Sequence, residues 1–228
     1  MRIASNIQKV REKIVEICSD AGLHPEKIAL VAATKNRDVS QIKEATEAGI
    51  KIIGENRLQE AKRKMAILNT ETVEWDFIGH LQTNKVKQVT ELFGLIQSVD
   101  SQHLIEEISR RALMANKKMR VLIEVNVAKD PEKYGLPPED VLEFIKRNST
   151  LEGVSIRGLM TIAPMVEPEK TRPYFRRMKE LFELVKVEKI PEVKMKWLSI
   201  GMSDDFPVAV EEGSNMLRLG RAIFEGDD

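Results

Sequence analysis

Between residues 3 and 21 the apolar side chains Ile3, Ile7, Val10, Ile14 and Ile17 recur at alternating spacings of four and three. That spacing predicts a helix with one buried stripe, ended by Gly22 and Pro25. The pattern then changes. Ile28-Ala-Leu-Val-Ala-Ala-Thr34 is a continuous apolar run with a polar end, the signature of a strand covered on both faces in a parallel sheet.

The same alternation continues along the chain. Val39, Ile42 and Ala45 mark a helix closed by Gly49, and residues 51–54 a short strand. Leu58, Ala61, Met65 and Leu68 mark the next helix, 75–79 a strand, and Val86 and Val89 a helix. Residues 95–98 form a strand, followed by a helix capped by Ser101 and carrying Leu104, Ile105, Ile108 and Ala112. Strands at 121–126, 156–160, 197–200 and 216–219 are separated by helices around Val141–Ile145, Phe175–Val185 and 205–212. Strict alternation implies a parallel sheet. Eight strands favour a closed (β/α)8 barrel of the TIM type over an open doubly wound sheet, the alternative architecture. Little chain follows the eighth strand, so the N-terminal helix is expected to cover the place of a last helix. No linker or change of composition divides residues 1–228, which are read as one α/β domain.

Composition narrows the function. Hydrophobic residues make up 42% of the 228, enough for a sizeable core. Lys plus Arg and Asp plus Glu are 36 each, a formal net charge of +0. Nucleic-acid binders draw affinity from a basic excess, so nucleic acid is not an expected partner. The single cysteine, Cys18, lies in an apolar helical pattern and is read as a buried small hydrophobe. With His24, His80 and His103 far apart, no metal site is expected. Charges interrupt the first helix and no uncharged run can cross a bilayer, so a cytoplasmic protein is expected, away from membranes.

Active sites of such barrels lie at the C-terminal ends of the strands. The polar residues expected there include Lys35, Asn56, His80, Asn126, Thr161, Ser199, Ser203, Arg218 and Arg221. Lys35 is either the first solvated residue after a strand or a partly desolvated amine able to attack an aldehyde. His80 reads equally as an acid–base group or as a hydrogen-bonded structural residue. Leu198-Ser-Ile-Gly-Met-Ser-Asp204 and Arg218-Leu-Gly-Arg-Ala-Ile-Phe224 follow the seventh and eighth strands, where phosphate sites recur. Gly220 would let a ligand approach the backbone. A Ser/Gly turn with a helix cap would leave the same trace. Neither G-x-G-x-x-G nor a P-loop is present. Trp75 and Trp197 are read as core.

Taken together, Leu30-Val-Ala-Ala-Thr-Lys35, Gly54-Glu-Asn56 with Gln59-Glu60, Trp75-Asp-Phe-Ile-Gly-His-Leu-Gln-Thr-Asn-Lys85, Gly158-Leu-Met-Thr161 and the two C-terminal loops resemble the pyridoxal phosphate homeostasis family. These are barrels like the N-terminal domain of alanine racemase. The resemblance implies that pyridoxal 5′-phosphate is held as a Schiff base on Lys35. Ser199, Ser203 and the backbone N–H groups of Gly220 and Arg221 would hold the phosphate. Arg218 would face the pyridine nitrogen, and Asn56 and Met160 would line the ring. The loop from Asn126 to Gly135, with Lys133, would lie near the open side, although Pro131 and Tyr134 stand where small polar residues are expected.

An arginine stays protonated and only donates hydrogen bonds, so Arg218 favours an unprotonated pyridine nitrogen and a weak electron sink. Alanine racemase supplies its second acid–base group as a tyrosine from a further β domain, for which the chain shows no counterpart. The resemblance therefore implies a carrier, store or supplier of the cofactor, with no strong catalysis, in transient contact with enzymes that use it, and monomeric. A weak amino-acid racemase or lyase is the alternative, distinguished by Lys35-dependent exchange of a Cα proton. A barrel for other phosphorylated metabolites is a third reading, distinguished by equal affinity for simple sugar phosphates.

Overall fold

A computed structural model describes residues 2–68 and 73–225. The eight strands are β1 (Ala29–Ala33), β2 (Ile52–Glu55), β3 (Glu74–Phe77), β4 (Leu95–Val99), β5 (Met119–Glu124), β6 (Val154–Met160), β7 (Trp197–Ser199) and β8 (Met216–Leu219). Each pairs in parallel with the next, and β8 closes on β1 with Leu30 opposite Leu217. The closed barrel expected from the alternation is therefore present, and the open sheet is excluded.

Helix α1 (Arg2–Ala21) buries Ile3, Ile7, Val10, Ile14, Ile17 and Cys18 on one stripe. It is followed by α2 (Val39–Glu47), α3 (Leu58–Met65), α4 (Val86–Leu92), α5 (Gln102–Met114), α6 (Val141–Asn148), α7 (Arg172–Val187), α8 (Phe206–Glu211) and α9 (Arg221–Phe224). Among the described residues only α9, a single turn, follows β8. Helix α1 packs on α2, α8 and α9, and the amide of Asn6 donates to the carbonyl of Ile223 at 3.0 Å. The N-terminal helix thus covers the wall that a longer last helix would cover. Among the described residues no helix is long and apolar enough to cross a membrane.

Local chemistry sets the helix starts. Asp38 accepts from the N–H of Gln41, whose side chain accepts from the N–H of Asp38, a reciprocal capping box that starts α2 just after Lys35. Ser101 occupies the N-cap position of α5 as expected, but its side chain makes no capping bond.

Most of the core lies between barrel and helices. A separate inner cluster of Val31, Leu95, Leu122, Met160 and Met216 fills the barrel, with Ala29, Ile52 and Trp197 against it. These are alternate residues of their strands, as the strand period requires. Trp75 is buried on the outer side. Two register shifts, between Ile96 and Val99 and between Val121 and Ile123, adjust β4 to β6 as the barrel closes.

Candidate functional site at the barrel mouth

Lys35 sits on the turn after β1 and is exposed, which agrees with the first of its two readings, a solvated residue after the strand. Among the described residues its ammonium makes no hydrogen bond or ion pair. Its backbone, by contrast, is held from both sides. Thr34 is fully buried, and its hydroxyl donates to Glu55 Oε1 at 2.5 Å. The buried Lys64 Nζ donates to the carbonyl of Thr34 at 2.5 Å, to Glu55 Oε1 at 2.6 Å and to Glu60 Oε1 at 2.7 Å. Glu60 Oε1 also accepts the N–H of Asn36 at 2.8 Å, and Asn36 adopts φ of 59°. Burial pushes the Glu55 carboxyl up in spite of Lys64. For Glu60, partial burial acts upward, but the bonds from Lys64 and Asn36 hold it below the usual carboxylate range. The motif Gly54-Glu-Asn56 with Gln59-Glu60 is thus a frame around Lys35.

Inside the barrel a polar chain lies above the apolar cluster. Gln97 Nε2 donates to Asp76 Oδ2 at 2.7 Å, and Ser199 Oγ donates to Gln97 Oε1 at 2.7 Å. Arg218 donates to Ser199 Oγ at 2.6 Å and to the carbonyls of Ser199 and Thr161, both at 2.7 Å. All four side chains of the chain are buried. Burial draws the Arg218 guanidinium down to about 10, with the charges of Glu124 and Asp205 opposing. Glu124 is pushed up to about 7 by burial and by Asp100, and Asp76 to about 7 by burial, partly offset by Gln97. Low dielectric makes each of these bonds strong and each missing one costly.

Of the two hydroxyls expected at a phosphate, Ser203 stands at the mouth and Ser199 lies below it, engaged by Gln97 and Arg218. Ser203 Oγ accepts the N–H of Gly220 at 3.2 Å and of Ala222 at 3.1 Å. These N–H groups, with that of Arg221, open α9, and the loops after β7 and β8 meet there. Gly201, at φ of +95°, makes the turn, and a Cβ on it would meet Ala209 at 2.5 Å. The Arg221 side chain pairs with Asp204.

The loop 126–135 crosses the rim. The N–H of Leu136 bonds the carbonyl of Glu124 at 2.8 Å, closing its ends. Asn126 holds the interior of the loop through the carbonyls of Asp130 and Lys133. Lys133 Nζ reaches the carbonyl of Ala163 at 3.2 Å. Tyr134 stacks on His80 with centroids 3.6 Å apart and planes 9° off parallel. His80 Nδ1 lies 3.4 Å from Asp100. Asn56 is exposed on the rim, where a Cβ at Gly79 would strike its carbonyl oxygen at 2.4 Å. Met160 is fully buried in the inner cluster that floors the mouth. Among the described residues no group of acidic, histidine and cysteine side chains could hold a metal.

The fold and mouth define a class, the barrels of the "Alanine racemase, N-terminal domain" family, which matches residues 2–228. An alanine racemase of Clostridium difficile 630 has a TM-score of 0.76 over 97% of this chain and 55% of its own, at 16% identity, and shows the fold alone. Within that class the chain belongs to the pyridoxal phosphate homeostasis protein family. The member from Aquifex aeolicus is 40% identical over 225 residues, 98% of both chains, and that from Escherichia coli K12 is 34% identical over 99% of this chain and 97% of its own. The structure of PipY from Synechococcus elongatus with PLP bound superimposes with a TM-score of 0.85 at 32% identity, over 97% of this chain and 99% of that one.

Proposed function

We propose that the protein binds pyridoxal 5′-phosphate at the barrel mouth through a Schiff base on Lys35 and serves to carry, store or supply it inside the cell. One observation carries this reading. Arg218 lies on β8, which pairs with β1, and Lys35 follows β1, so a guanidinium fixed by the Ser199 and Thr161 carbonyls and an unengaged amine lie on neighbouring strands of the mouth. An arginine fixed by two carbonyls and a hydroxyl suits a ring nitrogen that accepts a hydrogen bond. The Ser203 hydroxyl, held by the N–H groups of Gly220 and Ala222, together with the N–H of Arg221 suits a phosphate, which would share the Gly220 and Ala222 donors with Ser203. The residues present therefore fit the cofactor, and the PLP-bound relative supports the assignment.

The cofactor supplies the aldehyde. The chain supplies the rest: Lys35 forms the covalent link, the Lys64 frame holds its backbone, and Arg218 keeps the ring nitrogen unprotonated. Ser199 positions Arg218, and Asn56 and Met160 border the ring. An exposed lysine on an open rim suits reversible loading and transient contact with enzymes that take the cofactor, with the protein as a monomer in the cytoplasm. The test is the visible spectrum before and after borohydride, with peptide mapping. A yellow band reduced to a stable adduct on Lys35, absent in Lys35→Ala, is expected. A protein that stays colourless with added cofactor would refute the reading.

A further inference from the structure

A cavity of about 740 Å³ opens beside the Lys35 turn, between the loops that follow β2 and β3. It is on the opposite side of β1 from the Ser203–Gly220 cradle, since β1 lies between β2 and β8. Its floor is apolar, with Phe77 and Leu81 buried. Its rim carries Arg57, Arg63 and Lys85.

The charges of this rim are uncompensated. Other clustered cations on the surface are matched: Arg172 meets Glu169, Glu211 and Glu212, and Glu107 takes both Arg110 and Arg111. Among the described residues Arg57, Arg63 and Lys85 make no side-chain hydrogen bond or ion pair. The one carboxylate of the wall, Glu60, feels the field of Arg63 but is already bonded to Lys64 and to the Asn36 N–H. Three cations around one concavity repel each other, and a cleft lined by one sign of charge concentrates counter-ions. The volume is that of a metabolite site. Arg57 is the N-cap of α3 and makes no side-chain cap, so the first N–H groups of that helix add to the same field.

We propose that this cavity is a second anion site, which takes the carboxylate or phosphate of a small metabolite whose apolar body rests on Phe77 and Leu81. It is separate from the Ser203–Gly220 phosphate cradle, sharing Asn56 with the residues assigned to the ring, and its occupancy does not require the Schiff base.

The test uses the full chain with 15N-labelled arginine, at low ionic strength, with and without one equivalent of pyridoxal phosphate. Inorganic phosphate and succinate are titrated separately while the arginine Nε–H signals are followed, with chloride as control. Saturable shifts of Arg57 and Arg63 are expected, with a Kd on the order of 1 mM or below, present in both the loaded and the unloaded protein. Phosphate saturating first identifies a phosphomonoester, succinate first a carboxylate. The Arg57→Ala/Arg63→Ala variant, altered only at exposed positions, should bind the better anion about tenfold more weakly with an unchanged melting temperature. Shifts no different from those of chloride, or equal affinity in the double variant, would overturn the proposal. Loss of the response when cofactor is bound would overturn it too, by placing the anion in the cofactor cradle. If no cofactor binds at all, the arginine response still decides this site by itself.

Discussion

Lys64 Nζ holds the carbonyl oxygen of Thr34 at 2.5 Å, one residue before Lys35. A buried ammonium on α3 thereby fixes the end of β1. Its two carboxylate partners play different parts. Glu55 lies on the neighbouring strand and is fully buried, whereas Glu60 reaches over to the N–H of Asn36. Removing one member of a buried ion pair leaves the other charge uncompensated. Lys64→Met should therefore cost about 3 kcal/mol in urea unfolding. Glu60→Gln keeps an acceptor for both donors and should cost only about 1 kcal/mol. If the frame positions Lys35, Glu60→Gln should also speed cofactor loss several-fold, read as decay of the visible band. An unchanged decay would leave the frame a purely structural role.

Ser199, at the end of β7, and Ser203, in the loop that follows, give opposite predictions. Ser199→Ala removes an acceptor of Arg218 and a donor to Gln97, both buried, so stability should fall by about 1–3 kcal/mol. Cofactor binding should weaken with it, while competition by free inorganic phosphate stays as in the parent protein. Ser203→Ala, at a half-buried position, should leave stability within about 1 kcal/mol and change the phosphate competition instead. A change in phosphate competition in Ser199→Ala would put that hydroxyl on the phosphate.

Asp76 makes stability depend on pH in an unusual direction. Its folded carboxyl is pushed up to about 7 by burial, from 3.8 when unfolded. Between about pH 4 and pH 7 the folded state keeps a proton that the unfolded state releases. Stability must then fall as pH rises through that window and level off above it. Glu124, raised to about 7, acts in the same direction. Asp76→Asn removes the larger penalty while leaving an acceptor for Gln97. It should be as stable as the parent protein near pH 4 and more stable by a few kcal/mol at pH 8, at about 1.4 kcal/mol for each pH unit between the two pKa values. Equal differences at both pH values in urea titrations would contradict this account.

The barrel was legible because parallel strands buried on both faces leave continuous apolar runs, and Gly or Pro separates them from helices. Helix α9 was not expected, since a four-residue turn leaves no periodicity. The capping box at Asp38 is readable from Asp38-x-x-Gln41, three residues apart, a signal independent of the apolar stripe of α2. The loops after β7 and β8 were legible from their Ser and Gly content. The polar chain was not. Asp76 and Gln97 interrupt strands that are otherwise largely apolar, and only the closed barrel shows that they point inward and meet across 2.7 Å. Lys64 reads as a solvated residue between Ala61 and Met65. The local sign that it was more is its spacing from Glu60, four residues back, on a helix that begins just after the Lys35 frame.

The packing of β6 on β7 rests on Gly158. Its φ is +148°, and a Cβ there would lie 1.8 Å from the carbonyl oxygen of Trp197, its partner across the ladder. The clash is with backbone, which no side-chain rotation relieves. Gly158→Ala must therefore separate β6 from β7, directly beneath Met160 and Ser199. Parting these strands pulls the Thr161 and Ser199 carbonyls away from Arg218. The variant should lose more than about 3 kcal/mol, beyond the usual range for a single substitution in a folded domain. What remains folded should bind the cofactor weakly even when Lys35 is intact. Thermal melts with and without pyridoxal phosphate check both parts. A cofactor-induced rise in Tm equal to that of the parent protein would show that Arg218 does not depend on this junction.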